Sequence, residues 1–281
     1  MGVVVSLFLL TPDTIEILFT NDIKGQFHTT YALFINPVFP PPLGGEKSFL
    51  SFLKNERRKN KELLLIDAGN MSGGYITGDS FYIEKVADFY KKAGYNLMVP
   101  GRREFIGGRE GIEKMLKLGI NLISANITTQ EDTLKPLLPP YKIISIKGVK
   151  IGLFGLTSHY MPFYLQERVK DDFYFLNDIE TAKKMVKELR KKVDIVIGVS
   201  NTGIEREKRI ASEVRGIDFI LGGGSGYGLR EPYEDPLTHT VLLRNYEYFS
   251  GFGKLEIIFD KRTKTITGYK YQNITLFEEE F

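Results

Sequence analysis

Apolar residues fall into two rhythms along the chain. A short unbroken run at residues 63–66 predicts a strand buried on both faces, as in parallel or mixed sheets, and mostly apolar runs at 15–20, 193–199 and 217–221 predict further strands. Between them the spacing turns helical. Phe49, Phe52 and Leu53 mark one amphipathic helix over 46–60, and a second runs through 86–90 to a stop at Gly94. Ile112, Met115 and Leu116 mark a third, Ile179, Ala182, Val186 and Leu189 a fourth, and residues 206–214 a fifth. Short strands are expected at 97–99 and 120–124, and residues 141–146 and 149–156 read as a hairpin turning at Lys147-Gly148. Residues 241–243, 253–259 and 265–271 close the chain as strands, expected to be antiparallel. Residues 26–45 read as a long loop that fits neither helix nor central strand, because Pro37 and Pro40-Pro41-Pro42 remove amide donors. With no repeat and no low-complexity linker, the alternation predicts one α/β domain over residues 1–281.

The chain is organised around residues 63–74, LLLIDAGNMSGG, where a buried strand ends in polar side chains and a tight turn. Three other segments end alike: 15–22 in Asn21-Asp22, 193–201 in Asn201 and 216–224 in three glycines. Open α/β sheets bind ligands at the carboxyl edge of their strands, so four such ends predict one site on one rim.

Composition narrows the chemistry. A net charge of +3 without a basic cluster interleaved with aromatics gives no case for nucleic acid. Cysteine is absent, which excludes disulfides, thiolate catalysis and cysteine-held metals. A charged fraction of 26 %, rich in Lys and Glu, is compatible with a thermophilic source. Residues 3–10, VVVSLFLL, are too short to span a bilayer and read either as an extra apolar edge strand or as a trimmed signal remnant within residues 1–13. No longer apolar run suggests a transmembrane segment.

The order of motifs from about Thr14 to Tyr271 resembles the catalytic domain of the 5′-nucleotidase branch of calcineurin-like metallophosphoesterases. The resemblance rests on TNDIKG, LLLIDAGN, GRREF, LISANI, KGVKIGLFGLTS, VDIVIGVSNTG, GIDFILGGGSGYG and GFGKLEIIFDKRTKTITGY. It implies a four-layer α/β/β/α sandwich of two mixed sheets flanked by helices. It also implies two divalent metals held by imidazoles, carboxylates and an amide. Carried over position by position, that centre is degenerate here. Asp22 is kept, but Lys24 replaces the first histidine and Asn70 the bridging aspartate. Arg102-Arg103 stand for Asn-His, with Glu104 retained, and Ile106 stands where an aspartate would orient the catalytic histidine. Asn201, Gly224 and Gly226 occupy three further ligand positions. The three histidines, His28, His159 and His239, lie in none of these motifs.

This reading expects no bound metal cofactor and no two-metal catalysis: a pseudoenzyme that binds a phosphate-, sulfate- or nucleotide-type anion, or a protein partner. The rival is a hydrolase acting on nucleotides or related esters through a rebuilt site; a third reading is a scaffold paired with an active paralogue. Asp22 is expected to ion-pair with Lys24, Arg102 or Arg103, and the two arginines are either an anion clamp or filling for the vacated volume. Residues 222–228 are a backbone nest for phosphate or a relic of the family loop. The aromatics Tyr160, Phe163, Tyr164, Phe173, Tyr174 and Phe175 are expected to cover the core or to line a stacking pocket, and the same holds for Tyr246, Tyr248, Phe249 and Phe252. Family members are often exported, so the resemblance implies an extracytoplasmic location; a native strand at 3–10 would imply a cytoplasmic one.

Overall fold

The computed structural model describes residues 13–33, 35–73, 80–159 and 169–278. Residues 3–10, Gly74, Tyr160, Phe163 and Tyr164 lie outside them.

The apolar runs form the centres of two mixed sheets. In the first, β1 (Asp13–Thr20) pairs in parallel with β4 (Leu64–Asp67), and β4 with β5 (Leu97–Met98). On the other side of β1, β14 (Gly251–Asp260) and β15 (Thr265–Thr275) add antiparallel strands, giving the order β15-β14-β1-β4-β5. The second sheet has the order β12-β13-β11-β10-β8-β7. Its strands are β7 (Tyr141–Ile146), β8 (Val149–Thr157), β10 (Ile195–Asn201), β11 (Phe219–Gly222), β12 (Tyr233–Glu234) and β13 (Val241–Arg244). Two short ribbons, β2 (Thr30–Tyr31) with β3 (Pro42–Leu43) and β6 (Ile127–Thr128) with β9 (Tyr174–Phe175), decorate the loops.

Three apolar cores separate four layers. Between the sheets lie Ile15, Ile17 and Phe19 of β1, Ile151 and Leu153 of β8, and Ile195, Ile197 and Val199 of β10, all fully buried. The outer face of the first sheet packs on α1 (Gly45–Lys59), α2 (Ser80–Ala93) and α3 (Gly108–Lys117), through Phe49, Val86, Phe89, Ile112 and Met115. The outer face of the second packs on α4 (Asp178–Leu189) and α5 (Ile204–Glu213), through Ala182, Leu189, Ile210 and Ala211. This is the expected α/β/β/α arrangement.

Two expectations fail. Val241–Arg244 runs parallel to β11, because its chain returns through β12 from the far edge instead of turning back directly. Residues 120–124 make only a single bridge, Leu122 to Met98: the Met98 amide donates to the Asn121 carbonyl and the Ile123 amide to the Met98 carbonyl, and the Ser124 amide then turns away to the Pro139 carbonyl. Phe173 and Phe175 pack edge-on against Phe105, and Phe249 and Phe252 against Phe49, so these four are core. Among the described residues no helix is long and apolar enough to cross a membrane.

Candidate functional site

The four strand ends do meet. Past β1 and β4 the chains keep pairing as loops: the Asp22, Lys24 and Gly25 amides donate to the carbonyls of Gly69, Asn70 and Met71 at 2.8–2.9 Å. This continued pairing holds Asp22, Lys24 and Asn70 at φ 51°, 53° and 59°. Tyr248 and Phe249, at 59° and 54°, join them across the Tyr248 amide bond to the Asp22 carbonyl. Left-handed backbone costs a non-glycine residue roughly 1–2 kcal/mol, so the rim concentrates strain of the kind found at functional sites.

Asp22 is the centre. It is wholly buried, and its Oδ1 accepts from Asn70 Nδ2 at 2.8 Å. Its Oδ2 accepts from Asn21 Nδ2 at 3.0 Å and from the Gly224 amide at 2.9 Å. Burial pushes this carboxyl above its ordinary range, against the pull of the Asn70 and Asn21 amides and the more distant charges of Lys24 and Arg244. Among the described residues no ion pair to Asp22 stands beside these hydrogen bonds. Lys24 turns away to Glu247 and lies 4.7 Å from the Tyr248 ring centroid, and no described ion pair joins Asp22 to Arg102 or Arg103. Neutral donors have taken the carboxylate because they come from loops fixed at the same strand ends, whereas the longer Lys24 side chain reaches the part-exposed Glu247.

Glu104 does turn inward, but not onto the arginines. Its Oε2 accepts from the Asn70 and Gly101 amides at 2.9 and 2.7 Å, and its Oε1 from Ser72 at 2.9 Å. It is buried, and its carboxyl is raised by desolvation in spite of those amides. Arg102 and Arg103 are half-buried on the adjacent turn, where the Arg103 amide donates to Asn70 Oδ1 at 3.0 Å. Asn70 is thus a crosslink: its side chain ties β1 to the 101–104 turn. Gly101 belongs to this crosslink by necessity, since a Cβ there would fall 2.4 Å from Asn70 Oδ1 and 2.5 Å from Asn201 Oδ1.

From the second sheet, Asn201 donates through Nδ2 to the Ala68 carbonyl at 2.5 Å, while its buried Oδ1 has no partner among the described residues. Gly224 reaches Asp22 with φ 87°, and Gly226 packs beside Ile204. The loop carrying both is held by Arg244, which sequence reasoning missed. This buried guanidinium pairs with Glu207 at 2.5 Å and donates to the carbonyls of Gly223, Gly224 and Tyr227 at 2.9–3.1 Å. A charged residue closing the apolar run VLLR, opposite Glu207 of an amphipathic helix, was the available signal. Asp67 was also missed. Fully buried, it accepts from Thr20 Oγ1 at 2.6 Å and the Gly69 amide at 2.8 Å, and desolvation, with Glu104 and Asp22 nearby, drives its carboxyl well above the ordinary range.

Three cations, Lys24, Arg102 and Arg103, face four carboxylates, Asp22, Asp67, Glu104 and Glu247, so the rim as a whole carries no positive excess. Of the histidines, His159 lies just past β8 with Nδ1 at 3.2 Å from Asp178, and His239 sits against Glu234, both away from Asp22's shell. A two-metal centre does not fit these groups. Asp22 already accepts three hydrogen bonds, Asn70 presents its amide donor where a bridging oxygen is required, and Gly224 and Gly226 offer no ligand atom. Among the described residues no three His, Cys, Asp or Glu side chains are grouped to hold a metal.

Two mixed sheets between helical layers, with strand ends converging on one carboxylate, match the fold of calcineurin-like phosphoesterases. A 5′-nucleotidase precursor from Thermus thermophilus superposes with a TM-score of 0.78 at 23 % identity, covering 95 % of this chain and 55 % of that one. The phosphoesterase YfkN from Bacillus subtilis gives 0.74 at 16 %, covering 94 % and 91 %. The sequence relatives are 5′-nucleotidases, among them that of Diplobatis ommata, 28 % identical over 278 residues, or 91 % of this chain and 48 % of the relative. The chain therefore spans about half the length of the curated relatives it matches. No family model matches it.

Proposed function

We propose that the chain is a non-hydrolytic phosphoesterase-fold domain that binds a phosphate- or sulfate-bearing anion over the Arg102–Arg103 turn. The observation that carries this reading is the saturation of Asp22 by Asn70, Asn21 and the Gly224 amide. In a two-metal phosphoesterase the metals activate the hydroxide and stabilise developing charge; amide donors satisfy the carboxylate but generate no nucleophile. The arginine turn remains suited to anions because Glu104 is engaged by three backbone amides instead, and no described ion pair involves Arg102. Guanidinium forks hold phosphate without a metal. The names of the relatives support a nucleotide as the first anion to try.

The test couples turnover to binding. The parent protein, purified without chelator, is assayed with a nucleoside monophosphate and an aryl phosphate with and without Mn²⁺, and then by thermal shift with inorganic phosphate, sulfate and the same nucleotide. The expected outcome is no Mn²⁺-dependent turnover, together with an anion-induced rise in melting temperature that Arg102→Ala abolishes. Turnover that scales with Mn²⁺ and disappears in Asp22→Ala would establish the rival hydrolase. Absence of any shift in the parent would remove the anion.

A further inference from the structure

From Gly25 to Gly45 the chain carries no Asp, Glu, Lys or Arg, the longest such run in a protein whose charged fraction is 26 %. This run folds into a finger beside the rim. Its base is closed by the pairing of Thr30 with Leu43 and Tyr31 with Pro42, and by the Ala32 amide bonding the Pro41 carbonyl at 2.9 Å. Higher up, the Ile35 amide returns to the Ala32 carbonyl at 3.0 Å, and Asn36 Oδ1 accepts from the Val38 and Phe39 amides, both at 3.0 Å. These backbone bonds hold the loop in shape, and beside the buried Phe27, Ala32 and Leu43 five other apolar side chains face solvent. Tyr31, Leu33, Ile35, Val38 and Phe39 are 61, 61, 48, 74 and 80 % exposed. Four prolines, at 37, 40, 41 and 42, stiffen the loop before it meets anything.

We propose that the finger is a self-association surface on which a second copy of this chain docks about a two-fold axis, finger against finger. Area is the first argument. The five side chains expose on the order of 600 Å², the upper end of what a monomer's largest apolar patch shows. An isologous contact counts the patch twice, so burying it removes about 1,200 Å², which reaches the range of specific interfaces. Charge is the second. A two-fold contact sets residues near the axis against their own copies, and a segment without Asp, Glu, Lys or Arg meets its image there with no like-charge repulsion and no charged group to desolvate. Preorganisation is the third, because a finger whose backbone bonds are already made loses little freedom on docking. The absence of Lys and Arg within the finger also separates it from surfaces built for anionic lipid, which flank apolar anchors with basic residues. The inference is independent of the proposed anion site.

Sedimentation equilibrium of the intact chain over micromolar to millimolar concentrations tests it, with Phe39→Asp and Val38→Asp as variants and Leu134→Asp, at an 88 % exposed residue outside the finger, as control. Both finger positions face solvent, so the variants keep the parent's circular dichroism and melting temperature. The expected result is a parent dimer in the micromolar range, weakened at least tenfold by either finger variant and unchanged by the control. A parent that stays monomeric at millimolar concentration overturns the proposal, as does a dimer indifferent to both finger variants. A monomer that co-sediments with phosphatidylcholine vesicles and loses this in Phe39→Asp would overturn it too, and assign the finger to a lipid surface.

Discussion

Restoring the acidic residue that the family resemblance places at position 70 should damage this protein, and the damage should depend on pH. Asn70 Nδ2 donates to Asp22 Oδ1 at 2.8 Å inside a buried rim. Asn70→Asp puts a second carboxylate at that distance. If both were ionised, their repulsion would cost about 6 kcal/mol at an effective dielectric near 20. Holding one proton on the pair is cheaper. With an unfolded carboxyl near 3.9, that proton costs about 4 kcal/mol at pH 7 and about 1.5 kcal/mol at pH 5. Protonation therefore wins, and the loss should follow the proton. The folded pair's upper pKa is raised, so the penalty is absent below the unfolded value and grows as pH rises toward the folded one. Urea unfolding of parent and variant at both pH values measures it, and about 4 kcal/mol corresponds to roughly 7 °C in melting temperature for a chain of 281 residues. Equal losses at pH 5 and pH 7 would show that electrostatics between the two side chains is not the cause. No loss at pH 7 would show that Asp22 is not an ionised acceptor in the folded protein.

Two further outcomes follow from the buried charges. Arg244→Met should cost about 3–5 kcal/mol by leaving Glu207 unpaired in the interior, and Glu207→Gln added to it should recover at least half; denaturant midpoints of the two single variants and the double variant give the coupling. Burial raises the carboxyls of Asp22, Asp67, Glu104 and Glu207, so their contribution is full below about pH 4 and is lost as pH rises through their folded values. Lowered carboxyls such as Glu188 and Asp260 act oppositely, losing their contribution on acidification. Stability should accordingly fall as pH rises above the ordinary carboxylate range, and Asp67→Asn, removing the group driven well above that range, should flatten the slope.

Much of the fold was present in the apolar pattern alone. Runs such as Leu64–Ile66 and Ile195–Val199 can be buried only between two covered faces, and helical spacing at Phe49, Ile112 and Ile179 leaves one face for a sheet; together these fix a layered α/β arrangement. Strand ends carrying Asp22, Asn70, Asn201 and Gly224 were legible for the same reason, because polar side chains just past a buried strand must lie on its carboxyl edge. The direction of Val241–Arg244 was not legible, since apolar content says nothing about which way a returning chain enters a sheet. Nor were the partners of the rim. Asp22, Lys24, Arg102 and Glu104 suggest ion pairs when counted as charges along a sequence, but pairing depends on which donor can reach a buried oxygen. The tertiary structure brings in Asn21, Asn70 and the Gly224 amide from three strand ends at under 3.1 Å, sends Lys24 to Glu247, and spends Glu104 on backbone amides. Short side chains and backbone on rigid strand ends reach the interior with little entropy to lose, whereas Lys24, Arg102 and Arg103 stay part-exposed and only Arg244, paired with Glu207, is buried among the cations of the described rim.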